Sequence, residues 1–168
     1  MEFNDAKAQF IQTWGKLGSE WGINRTMAQV HAILLISPKP LCTEDIMEEL
    51  NISRGNTNMN VRDLMNWDLV YKKLIPGDRK EYFEAEKDIW EVARRIIKER
   101  KKREVEPVVK VLSQLKEIDG NKENAEIKEF TSMMNQLDKF VGKIDKSVNI
   151  LINENENKLF SLLLKLMK

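Results

Sequence analysis

The sequence predicts a mainly α-helical chain with one small β-hairpin and long helices toward its C-terminal end. Three observations predict it. Two short segments with helical apolar spacing meet at the turn Asn51-Ile52-Ser53, two β-rich runs then bracket Pro76-Gly77, and three- and four-residue apolar steps extend beyond Asp88. At 168 residues there is room for one domain with a true core plus a helical extension, not for two large domains.

The first helix takes Asn4 as its N-cap and places Phe10, Trp14, Leu17 and Trp21 on one face, up to Gly22, which can close it. Met27, Val30, Ile33, Leu34 and Leu35 mark a second helix. It must stop at Ser37-Pro38-Lys39-Pro40, because proline lacks a backbone donor and restricts its predecessor. Thr43 caps a short third helix, with Ile46 and Leu50 one turn apart, and Ser53 caps a fourth that runs to about Trp67 with Thr57, Val61 and Leu64 on one face. Residues 69–75 read as a strand, Pro76-Gly77-Asp78-Arg79 as a turn and 80–85 as the returning strand.

Asp88 opens a long helix through Ile89, Val92, Ile96 and Ile97, which bends at Pro107 and continues through Val111, Leu112 and Leu115. Asp119-Gly120-Asn121 breaks it. Ile127, Phe130, Met134, Leu137, Val141, Ile144, Val148 and Leu151 then define a last helix, before an Asn/Glu run at 153–157 and an apolar tail at 159–167. Two regions follow: 1–87, containing the short helices and the hairpin, and 88–168, helical and suited to dimerisation.

Composition narrows the function classes. The 28 basic and 27 acidic residues leave a net charge of +1, so a surface for a polyanion must come from local clustering. Cys42 is the single cysteine and forms no internal disulfide, and no signal peptide opens the chain; both suit the cytoplasm. The apolar tail is about half the length needed to cross a bilayer, which makes it a packing segment and argues against a membrane partner.

The segment 43–70 has a helix-turn-helix pattern. With Thr57 at the centre of the buried face, a rotation of about 100° per residue turns Gly55, Met59 and Arg62 outward, leaves Asn56 and Asn58 on the flanks, and moves Asn60 toward the inside. Such a helix can enter a DNA major groove N-terminus first, where asparagine reads adenine edges and arginine reads guanine or holds phosphate. Ser53, Arg54, Gly55, Asn56, Asn58, Met59 and Arg62 are the candidate readers. The ribbon that follows at once carries Lys72, Lys73, Arg79 and Lys80, making a winged arrangement in which Lys72, Arg79 and Lys80 are candidate phosphate or minor-groove contacts. Cations on a ribbon also serve simply to protect a strand edge.

The run Ser53-Arg54-Gly55-Asn56-Thr57-Asn58-Met59-Asn60-Val61-Arg62, continuing to Val70 and followed by Pro76-Gly77-Asp78-Arg79-Lys80 through Glu86, resembles the GbsR-type branch of the MarR-like winged helix-turn-helix transcriptional regulators. The resemblance covers about 14–115 and is most specific in the recognition helix and wing. It implies a cytoplasmic homodimer that binds double-stranded DNA at a palindromic operator, a ligand-responsive repressor, with Ser53 to Arg62 as the reading surface and Arg79 as the wing contact. Some such proteins respond to quaternary ammonium compounds, but no ligand motif here carries that over. The other reading of the same helices is a winged-helix protein–protein interaction module that does not read DNA.

Remaining candidates have plainer alternatives. Trp14, Trp21, Trp67, Tyr82 and Trp90 would form a cage for a cationic effector if they converged, and are otherwise core. The cluster Arg94, Arg95, Lys98, Arg100, Lys101, Lys102 and Arg103 is balanced by Glu91, Glu99, Glu104 and Glu106 and reads as a wet helix face. His31 in an apolar helix reads as a structural imidazole, and Cys42, with no resolving partner, as an ordinary thiol. No catalytic or phosphate-binding motif occurs, so the chain is read as a non-enzyme without cofactor or metal.

Overall fold

The computed structural model describes residues 1–115 and 124–153, and the chain divides into two compact units, Met1–Val92 and Ala93–Lys168. In the first unit, α1 (Phe3–Glu20) starts from Glu2, two residues before the expected Asn4 cap. It ends as expected at Gly22, whose φ of +76° only glycine adopts freely, with the Ile23 amide closing back on the Gly18 carbonyl at 2.8 Å. Helix α2 (Arg25–Ile36) is capped by Asn24, whose side chain accepts from the Thr26 and Met27 amides. The two helices pack closely: a Cβ on Gly18 would lie 2.5 Å from the Ala28 Cβ.

Apolar residues surround α2, so it is the central core helix, with Met27, Ala28, Val30, Ala32, Ile33 and Leu34 all buried. It stops before Pro38, as the sequence requires. The last carbonyls of a helix lack partners; here the Lys87 ammonium takes three of them, Leu34 at 2.7 Å, Leu35 at 2.7 Å and Ser37, just past the end, at 2.9 Å.

His31 is 3% exposed within this core. The Trp14 indole donates to His31 Nδ1 at 3.4 Å, which leaves the proton of the neutral ring on a buried Nε2 with no partner. Burial, and secondarily the Lys87 charge, pull the imidazole down to about 4. Between pH 4 and the ordinary value of 6.5 the unfolded chain binds a proton that the folded chain does not. The contribution of neutral His31 is therefore complete above 6.5 and lost as pH falls toward 4, a loss of about 3 kcal/mol. Urea unfolding from pH 7 to pH 4.5 is expected to be steeper in pH for the wild type than for His31→Gln; parallel curves would contradict this.

The sheet has three strands where the sequence predicted two. The added strand β1 (Leu41–Cys42) pairs antiparallel with β3 (Tyr82–Ala85), which also pairs with β2 (Val70–Lys73), giving the order β1-β3-β2. A two-residue strand after a proline has no periodicity to detect. The hairpin ladder is also shorter than the β-rich runs, with Val70 opposite Ala85 and Lys73 opposite Tyr82. Leu74, Ile75 and Lys80 belong instead to the exposed connection around Gly77, whose φ is +85°.

Helix α3 (Thr43–Leu50) corrects another expectation: Cys42 is its N-cap and Thr43 its first residue. The Cys42 amide donates to Asp45 Oδ2 at 2.8 Å, while the Cys42 side chain faces the Asp45 amide, the two halves of a capping box. Asn51, in the left-handed region, ends α3, and Ser53 caps α4 (Arg54–Asn66) by accepting from the Asn56 amide.

Asp88 caps α5 (Ile89–Arg100) by accepting from the Trp90 and Glu91 amides. The irregularity expected at Pro107 lies just before it, as a π-helical turn at Lys101–Val105 leading into α6 (Glu106–Leu115). Proline offers no amide to the carbonyl four residues earlier, and a widened turn accommodates that break. Asn124 caps the 29-residue α7 (Ala125–Asn153), and Lys101 ties the π turn to it through Asp145 at 3.1 Å. The features expected at Asp119-Gly120-Asn121, 154–157 and 159–167 lie outside the described residues. Among the described residues no helix is long and apolar enough to cross a membrane.

Candidate nucleic-acid interface

Helix α4 is held by one face. Thr57, Asn60, Val61 and Leu64 are buried at three- and four-residue steps, and the Thr57 hydroxyl donates to the Ser53 carbonyl at 3.1 Å. That arrangement turns Gly55, Asn58, Met59 and Arg62 to the surface, with Asn56 half-buried on the flank and Met59 52% exposed. A Cβ on Gly55 would meet nothing within 4 Å, so this chain's own packing does not require glycine there. The helix N-terminus is therefore open to the backbone of a partner.

The charges on this face are unequal. Arg54 reaches back to Glu44 on α3, Nη2 to Oε1 at 2.5 Å. The Glu44 carboxyl is held down at about 2, first by its own backbone amide at the start of α3, then by the Cys42 thiol and the Arg54 guanidinium. Arg62 has no ion-pair partner among the described residues and is exposed.

The wing sorts its cations the same way. Lys72 pairs with Glu81, and Lys73 with Glu84 at 3.5 Å. Arg79 and Lys80, at the turn, have exposed side chains; the Lys80 charge lies close enough to the Asp78 carboxylate to stabilise it, whereas Arg79 has no ion-pair partner among the described residues. The turn itself is built around Asp78, which accepts from the Lys80 amide at 2.9 Å and the Tyr82 hydroxyl at 2.7 Å. Those bonds hold the Asp78 carboxyl below its usual range, and the same carboxylate pushes the Tyr82 phenol up to about 12. Among the described residues of this surface, positive charge without an ion-pair partner is thus found at Arg62 on the helix and at Arg79 on the wing tip.

The sequence marked Asn60 as turned inward, and it is 1% exposed. It did not reveal what Asn60 does there: its Nδ2 donates to the Asn56 carbonyl at 2.8 Å and to Asn56 Oδ1 at 2.7 Å, while its own Oδ1 is buried without a partner. Leaving such an oxygen unsatisfied costs about 1–3 kcal/mol. The only sequence signal was the four-residue spacing of two asparagines. On the other flank, the Thr43 hydroxyl meets Asn58 Oδ1 at 3.4 Å.

The five aromatic residues considered as a cage are spread along the first unit. Trp14 packs against Phe10 and His31, Trp21 ends α1 and is half exposed, Trp67 is buried at the end of α4, Tyr82 lies on the wing and Trp90 is exposed in the first turn of α5. Trp14, Trp21 and Tyr82 make no ring contact with one another. In the basic cluster, Arg100 pairs with Glu104, Lys101 with Glu106 and Asp145, and Lys102 and Arg103 with Glu99. Cys42 is buried, and burial pushes its thiol up. Among the described residues no group of His, Cys, Asp and Glu is placed to hold a metal ion.

No protein-family model matches the chain, and no curated protein matches it in sequence. Among solved structures, one described as a transcriptional regulator aligns with a TM-score of 0.55 at 16% identity, covering 86% of this chain and 98% of its own. A point mutant of S. aureus MepR bound to an oligodeoxyribonucleotide aligns more loosely, with a TM-score of 0.42 at 17% identity over 80% of this chain and 94% of its own. The helix pair α3–α4, the ribbon that follows it and the first of these likenesses together establish a winged helix-turn-helix fold, mainly α with a small antiparallel sheet.

Proposed function

We propose that this chain is a sequence-specific DNA-binding transcriptional regulator, not an enzyme, of the GbsR-type branch of the MarR-like proteins, acting in the cytoplasm as a homodimer on a palindromic operator. The observation that carries the proposal is the exposed face of α4. It presents Gly55, Asn58, Met59 and Arg62 to solvent, and the adjoining wing tip presents Arg79 and Lys80. Amide and guanidinium donors on a slender helix suit base edges in a major groove, and cations on an adjoining ribbon suit phosphate or a minor groove. Ser53 and the first amides of α4 suit a backbone phosphate. Arg54 contributes through the same end of the helix, with Glu44 fixing its position, and Lys72 supports the wing beside Glu81.

Dimerisation belongs to this reading because, among the described residues, no side chain of α7 is fully buried, and Phe130, Met133, Leu137, Phe140, Ile144 and Leu151 recur exposed along it at close to 3.5-residue spacing. In this reading a second copy covers that exposed row. Two copies then hold two recognition helices about one DNA turn, ~34 Å, apart. Repression follows by operator occupancy, and a small-molecule effector acting through the helical region would relieve it. The dispersed aromatic residues favour no particular effector.

A second reading, a protein-binding winged helix, has one observation in its favour: Leu74 is 78% exposed and Ile75 is exposed beside it on the wing. Titration of a labelled duplex into the full-length protein at two salt concentrations separates the readings. A DNA reader loses affinity steeply as salt rises, because each phosphate contact releases counterions. A protein-binding module shows no saturable duplex binding at low salt.

A further inference from the structure

Beneath its exposed face, α4 carries a chain of donor–acceptor constraints. A main-chain carbonyl can only accept, so the end of the Asn60 amide that meets the Asn56 carbonyl must be its NH2 group. An NH2 group only donates, so the Asn56 side chain must face Asn60 with its oxygen. The Asn56 NH2 therefore points the other way, and no group among the described residues accepts from it. Asn58 is under no such constraint. Its neighbour, the Thr43 hydroxyl, either donates or accepts and tolerates both orientations of the amide.

Resting on the reading of α4 as the DNA-reading helix, we infer that Asn60 is a positioning residue that makes Asn56 an obligate hydrogen-bond donor, so that Asn56 reads a guanine at one fixed position in each half-site. An asparagine that reads adenine uses its oxygen for N6 and its NH2 for N7. In Asn56 the oxygen is turned to Asn60. Guanine offers O6 and N7, two acceptors and no donor, to a group that only donates; adenine offers N7 beside an N6 donor that such a group cannot answer, thymine the single acceptor O4, and cytosine only a donor, so guanine is the best match. Asn60 itself touches no base; it acts through the orientation of its neighbour. That role accounts for a polar side chain in a row otherwise made of Thr57, Val61 and Leu64, although its own oxygen is left without a partner.

The test is selection of binding sites from random duplex DNA by the full-length wild type, Asn56→Asp and Asn60→Leu, with folding of each checked by circular dichroism. The wild type is expected to prefer guanine over adenine by about tenfold at one position per half-site, within the discrimination of a good base contact. Asn56→Asp still accepts from Asn60 but presents an oxygen outward, so the preference at that position alone moves to cytosine. Asn60→Leu frees the Asn56 amide to turn over, and guanine and adenine become nearly equal there while the other positions keep their bases. A purely structural Asn60 would instead lower affinity for all sequences alike. Identical base preferences in wild type and in both folded variants would overturn the inference while leaving the regulator intact. If Asn60→Leu does not fold, the result for Asn56→Asp decides. A wild type that enriches no sequence removes the regulator reading and this inference together.

Discussion

Replacing Arg62 with alanine is expected to weaken binding to a specific duplex by about 5- to 150-fold, the range for one lost side-chain contact to a base. Arg62 stands out because the buried face of α4 turns it to solvent and no carboxylate answers its charge among the described residues. Arg79→Ala is expected to act differently. At the wing tip it contacts phosphate or a minor groove, so its loss lowers affinity across sequences and reduces the salt slope by about one. Lys72→Ala provides the contrast, since its ammonium is already paired with Glu81 and its removal should cost little. Fluorescence anisotropy of a labelled duplex at several salt concentrations reads all three. Equal affinity for wild type, Arg62→Ala and Arg79→Ala would place the interface elsewhere.

Phe140→Lys is expected to have a second large effect, on assembly. Phe140 is 62% exposed in the middle of the apolar row of α7. A phenyl ring left in water there is stabilised by burial against a second copy, and a lysine in its place would put a charge into that interface. Sedimentation should show a dimer for the wild type and a monomer for the variant. Operator affinity should fall with it by about a hundredfold or more, because the second half-site is then no longer bound as part of the same molecule. A variant that remains dimeric would remove α7 from the interface.

The elements most legible in the sequence were those set by local rules. Thr57, Val61 and Leu64 repeat with the period of a helix, and all three are buried. Ser53 and Asp88 cap the helices they precede, and Pro38 and Gly22 end helices where their backbone chemistry requires it. What escaped depends on neighbours distant in sequence or on very short segments. Strand β1 is two residues long and exists because β3 pairs with it. Cys42 is the cap of α3 in a capping box with Asp45, whose carboxylate accepts from the Cys42 amide, and Thr43 is already helical.

The candidate interface divides along the same line. Which residues of α4 face outward followed from rotation about the helix axis, but which of its cations remain uncompensated did not. Arg54 and Glu44 sit on different helices, and Lys72 and Glu81 on opposite strands, so their pairing required the tertiary structure. The amide pair of Asn56 and Asn60 was visible as a spacing, yet its consequence depends on a main-chain carbonyl that every residue carries. Lys87, more than fifty positions from the α2 carbonyls it holds, left no trace in local pattern.

The central claim is that α4 and the wing read DNA as part of a symmetric dimer, and site selection from random duplex DNA at moderate salt tests it most directly. The account predicts an enriched inverted repeat whose half-sites lie about one helical turn apart. Enrichment of no sequence, together with binding that is no stronger than to bulk duplex, would contradict it.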